Sequence, residues 1–212
     1  MKREEVVINK KRATRSDKKR DIKPTISTDL KNCVYRLSYV TNTPVKDVVE
    51  TFCEKGLQSR IVIEYLSCYF RRDYQYLNTL YLGDPGRESL QRKYQSNQNV
   101  RISTRVNRDT YEEIRNLSDA LDVTPSKTTA LLLDASIRNT NLINAYVKTY
   151  LHQHISNNRM KELKEVLKYI NNNNPYNEEI SWFALLSMIY EELKDTAVTL
   201  KEGLHNWIER FK

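Results

Sequence analysis

The segment Asn99-Val100-Arg101-Ile102-Ser103-Thr104-Arg105-Val106 alternates with a period of two, and this constrains the chain more than any other feature. Val100, Ile102, Thr104 and Val106 fall on one face and Arg101, Ser103 and Arg105 on the other, the pattern of a half-buried strand. Asn107 then stands as a helix N-cap, with Asp109, Glu112 and Glu113 near the positive end of the helix that follows. Tyr111, Ile114, Leu117 and Leu121 recur at helical spacing and form one apolar stripe. Thr124-Pro125 pairs an N-cap with a first-turn proline, so a second helix opens there, carrying Ala130 to Leu133 and running past Ile137. A short strand thus precedes two helices. Alone it leaves its backbone groups unpaired, so it must find a partner strand.

The chain supplies one upstream. Ile22 to Thr28 keeps the same parity, with Ile22 and Ile26 inward and Lys23, Thr25 and Ser27 outward. A helix with Leu30, Val34, Leu37 and Val40 on one face follows, its cap expected at Asp29 or Thr28. Thr43-Pro44-Val45-Lys46 then opens a second helix bearing Val48, Val49, Phe52 and Leu57. Ile-Ser-Thr occurs at 26–28 and 102–104, and Thr-Pro-x-Lys at 43–46 and 124–127, marking an internal repeat. Ile26 and Thr43 are 17 positions apart, whereas Ile102 and Thr124 are 22 apart. The first unit therefore needs a helix about one turn shorter or a strand in a different register. Pro24 lacks a backbone donor and is expected where its nitrogen faces away from the partner strand.

The expected organisation is a basic arm (1–20), a first strand–helix–helix unit (21–70), a polar connector (71–98), a second unit (99–138) and a helical module (139–212). The connector, 28 residues long, is enough for the two strands to pair within one chain. The expected fold class is mainly α with one short two-stranded antiparallel ribbon.

The order Arg-Ile-Ser-Thr-Arg-Val, capped helix, then Thr-Pro-Ser-Lys opening another helix resembles the ribbon-helix-helix family of the MetJ/Arc type. The resemblance implies two tandem units whose paired strands lie in the DNA major groove. It implies base readout by Arg101, Ser103 and Arg105 with Lys23, Thr25 and Ser27 as counterparts. It also implies phosphate contacts at the amino ends of the second helices, by Thr124, Ser126 and Lys127 and by Thr43, Val45 and Lys46. The physics is consistent: a ribbon fits a groove about 12 Å wide, and arginine bonds guanine O6 and N7 as a fork. The implied function is a sequence-specific double-stranded DNA-binding regulator, a transcriptional repressor of phage or plasmid type. An accessory DNA-binding protein of plasmid replication or conjugative transfer shares these features. An antitoxin-like protein–protein adaptor is the rival from another class.

Charge points the same way. Of the net +8, residues 1–24 hold ten Lys/Arg against four Asp/Glu, whereas 139–212 hold nine of each. Arg12, Arg15, Lys18, Lys19 and Arg20 of the arm are expected to contact phosphates, because neutralised phosphates release counterions. The neutral module is expected to serve self-association or to dock a partner protein, through stripes at Met160–Ile170, Ile180–Tyr190 and Leu200–Phe211. Cys33, Cys53 and Cys68 have no CxxC pairing and are expected as reduced packing residues. His152 and His154, two apart on a helix, diverge too far to share a metal. The aromatic–arginine run from Tyr65 to Tyr81 could stack single-stranded bases, but packing against the core is the expectation. With no catalytic, metal, cofactor, secretory or membrane-spanning motif, the expectation is a cytoplasmic non-enzyme without cofactor.

Overall fold

The computed structural model describes residues 18–92, 99–150, 156–172, 174–181 and 183–187. Arg12, Arg15, His152, His154, Tyr190 and the stripe Leu200–Phe211 lie outside them. The described chain is mostly helical with short antiparallel strand pairs.

Strand β1 (Arg20–Ile22) pairs with β6 (Thr104–Val106), and β2 (Thr25–Ser27) pairs with β5 (Asn99–Arg101), both antiparallel. The two pairs share one register. Ile22 faces Thr104 and Thr25 faces Arg101, which leaves Lys23 opposite Ser103 and Pro24 opposite Ile102. The Ile102 amide donates to the Pro24 carbonyl at 3.1 Å. Such a pair normally exchanges two bonds, and proline cannot return the second. Pro24 therefore faces its partner, contrary to the expectation from sequence, and the ribbon is split into two halves at that point. Ile22, Pro24, Ile26, Ile102, Thr104 and Val106 are buried on its underside.

Helix α1 (Thr28–Thr41) is capped by Ser27, whose hydroxyl accepts from the Leu30 amide at 3.1 Å; neither Thr28 nor Asp29 is the cap. Helix α2 is Val45–Leu57, and a third helix, α3 (Arg60–Ser67), follows with Ser59 as its cap. After a hairpin of β3 (Tyr74–Tyr76) and β4 (Thr79–Tyr81), the second half supplies α4 (Arg108–Leu121), α5 (Pro125–Arg138) and α6 (Thr140–Tyr150). Last comes α7 (Asn157–Asn171).

The halves repeat with a constant offset of 80 positions, set by caps: Ser27 and Asn107, the left-handed Asn42 and Asp122 (φ 53° and 54°), Pro44 and Thr124. Asn and Asp adopt that conformation at low cost, which lets each first helix stop in the same way. The third helices obey the same offset. Ser59 accepts from the Val62 amide, and Asn139 from the Leu142 amide. Both α1 and α4 are 14 residues long, so the unequal motif spacing reflects strand register and not helix length.

Helices α2 and α5 pack on each other at the centre, and α3 and α6 each pack on both. Helices α2 and α5 meet tightly at Gly56 and Ser136, again 80 apart. A Cβ on Gly56 would lie 1.9 Å from Ser136 Oγ and 3.1 Å from its Cβ. Ser136 Oγ is already held by the Leu132 carbonyl at 2.6 Å, so it has little room to move. Gly56→Leu is expected to destabilise the fold by about 3 kcal/mol or more through overpacking, read as a lowered urea midpoint.

Around this paired centre the chain is asymmetric. Helix α7 covers α1, burying Met160, Leu163, Val166, Leu167 and Ile170. The first of the three tail stripes is therefore spent inside the chain. Arg138 ties α5 to the end of α7 by donating to the Tyr169 and Asn172 carbonyls, at 3.1 and 2.5 Å. On the other side the hairpin packs on α4, anchored by Arg71 and Arg72, which both bond the Asp122 carboxylate. Phe70 is fully buried with Tyr74 and Tyr81 against its ring, so this part of the aromatic run packs inward. Cys33 and Cys53 are buried, and desolvation pushes both thiols up, Cys53 to about 12. Cys68 is exposed and, like them, unpaired. Among the described residues no helix is long and apolar enough to cross a membrane, and no cluster of three or more His, Cys, Asp or Glu could hold a metal.

Candidate nucleic-acid interface

The ribbon turns one face to solvent. Because directly opposed residues share a face, its outer side holds four couples: Asp21 with Arg105, Lys23 with Ser103, Thr25 with Arg101, and Ser27 with Asn99. Arg101, Ser103, Arg105, Lys23 and Asp21 are exposed and Thr25 is half-buried. All six residues expected to read bases thus lie on that face, and all but one are free of a helix-capping role.

Ser27 is the exception. Its hydroxyl accepts from Leu30 and serves the helix, as Asn107 does in the second half by accepting from Thr110 at 2.7 Å. The offset of 80 makes Asp21, Lys23 and Thr25 the counterparts of Arg101, Ser103 and Arg105. Asp21 is therefore the residue that sequence reasoning missed. The apolar stripe carried the signal: Leu30, Val34, Leu37 and Thr41 are matched 80 positions on by Thr110, Ile114, Leu117 and Leu121.

Asp21 also shapes its neighbour. Arg105 donates from Nε to Asp21 Oδ1 at 2.7 Å, which leaves the two terminal nitrogens of the guanidinium pointing away as a fork. Both side chains are more than half exposed, at 67% and 56%. Such a pair adds little to stability, of order 0.2–1 kcal/mol, and its value here is orientation.

The amino ends of α2 and α5 flank the ribbon, but they are chemically unequal. The hydroxyl of Thr104 on β6 bonds the Lys46 carbonyl at 2.9 Å, fixing α2 against the strand. The Val45 and Lys46 amides have no acceptor among the described residues, and Lys46 is exposed beside them. Thr43 does not contribute: its amide is taken by Ser38 and its hydroxyl by the Thr41 carbonyl. At α5 the Thr124 amide is taken by Gln91 Oε1, Pro125 has none, and the Lys127 amide bonds Thr124 Oγ1. Ser126 is left to offer its amide there. The Lys127 side chain is half-buried beside a cavity of about 300 Å³ that Thr25, Asn99, Asp134 and Tyr169 also line. Desolvation in that position pulls its ammonium below the ordinary lysine pKa.

At the entrance to the ribbon, Lys19 grips both oxygens of Glu50 on α2 at 2.6 Å, whereas Lys18 and Arg20 are exposed. Lys19 thus anchors the chain where it meets the core. Compared with protein-family models, with curated proteins and with solved structures, the chain matches none.

Proposed function

We propose that this protein is a sequence-specific double-stranded DNA-binding regulator, formed by two ribbon-helix-helix units in one chain and reading the major groove with its ribbon. The observation that carries the reading is the outer face of the ribbon, where Arg101, Arg105, Lys23 and Ser103 stand exposed between the amino ends of α2 and α5. A two-stranded ribbon matches the width of the major groove, and side chains on one face can address base edges. The Val45 and Lys46 amides, without an acceptor among the described residues, offer a phosphate donors at the positive end of a helix. A transcriptional repressor uses such a surface to occlude a promoter.

Fluorescence anisotropy with labelled duplexes tests this. With about four phosphate contacts, affinity should fall roughly a hundredfold between 50 and 200 mM salt. Lys46→Ala should flatten that dependence by about one contact, alike for every sequence. Absence of binding to any duplex at 50 mM salt would overturn the proposal.

A further inference from the structure

The ribbon has an approximate two-fold axis through the Lys23–Ser103 couple, because those residues are both opposed in register and 80 positions apart. The axis exchanges Asp21 with Arg101 and Thr25 with Arg105. In a ribbon made from two identical chains the exchanged residues would be the same, and the bound DNA would mirror that symmetry. Here every exchange joins unlike chemistry: a carboxylate with a guanidinium, an ammonium with a hydroxyl, a hydroxyl with a guanidinium. Backbone symmetry is kept while side-chain symmetry is lost.

The flanking helices break the symmetry independently. The amino end of α2 presents two open amides and an exposed lysine, whereas Gln91, Pro125 and Thr124 leave α5 little to offer. One side of the ribbon thus holds a phosphate strand more firmly than the other.

From these two observations, and resting on the DNA-binding reading above, we infer that the chain recognises a non-palindromic duplex site in one fixed orientation. The strand carrying Arg101 and Arg105 reads guanines. Their Cα atoms are four residues apart, about 13 Å along the strand, which spans about four base steps. Opposite them, Asp21 is an acceptor suited to a cytosine amino group, and Thr25 tolerates several bases. One chain therefore defines a direction on DNA, which a symmetric dimer cannot do.

The test uses the full chain. Duplexes enriched from a random pool are sequenced, and two palindromes are then built by reflecting each half of the site. The expected consensus is asymmetric, and both palindromes should bind at least about tenfold more weakly, since each mismatched base pair alone costs about that much. The triple variant Asp21→Arg, Lys23→Ser, Thr25→Arg copies the second strand onto the first at exposed or half-buried positions. It should shift preference toward the arginine-half palindrome by about tenfold. A palindromic consensus, or a triple variant with unchanged preference, overturns the inference and leaves the DNA-binding reading standing. Enrichment of no duplex at all overturns both.

Discussion

Val106→Asp is expected to lower the melting temperature by about 10 °C and to abolish DNA binding with it. Val106 is fully buried on the underside of the ribbon, opposite Arg20 at the β1–β6 end. Arg20 opposite it is exposed, so the carboxylate lies in the core without a buried partner, and such a charge costs about 3–5 kcal/mol. For a chain of this size each kcal/mol shifts the melting temperature by about 2–4 °C. Arg105→Ala, one residue away on the outer face, should stay within about 1 kcal/mol of the parent, because its ion pair is exposed. Scanning calorimetry on the two variants checks the contrast. Equal melts would mean that the ribbon is not part of the core.

The second large effect concerns recognition. Arg105→Ala should erase preference at one position of the bound site, a loss of about 1–3 kcal/mol, while non-specific binding stays nearly intact. Asp21→Ala should produce a smaller loss at that same position, because it removes the acceptor that holds Nε without removing the fork. Competition binding with single-base variants reads both. Loss spread evenly over all positions would instead make Arg105 a phosphate contact.

Much of this architecture was legible in the residues, and the failures have specific causes. Period-two alternation placed both strands and their outward faces, because burying one side of a ribbon leaves little freedom of parity. The short motifs do not give the frame between the halves. Ile-Ser-Thr recurs after 76 positions and Thr-Pro-x-Lys after 81, whereas the backbone repeats after 80. Short motifs can recur by chance, whereas caps must sit where helices begin. In sequence Ser27 reads as an outward residue because the alternation continues through it to the helix start. Its place three residues before Leu30 marks it as a cap.

Three other elements escaped for different reasons. The third helices α3 and α6 are short continuations after α2 and α5, separated from them by one or two residues. Nothing in their apolar pattern announces a boundary except Ser59 and Asn139. The β3–β4 hairpin turns through Leu77 in the left-handed region (φ 49°), where a glycine or asparagine would have signalled it. Pro24 was expected to face away from the ladder, but register is set by the apolar residues on either side. Keeping Ile22, Ile26, Ile102 and Val106 buried forces the proline to face Ile102.

Reading by the outer face of this ribbon requires the major-groove acceptors of the bases it meets. Replacing single guanines in the selected site by 7-deazaguanine tests it most directly, since this removes the major-groove N7 acceptor and nothing from the minor groove. One such replacement is expected to weaken the parent protein by about tenfold and to leave Arg105→Ala no weaker than before, so that the two losses are not additive. Additive losses, or no loss at any guanine, would contradict it.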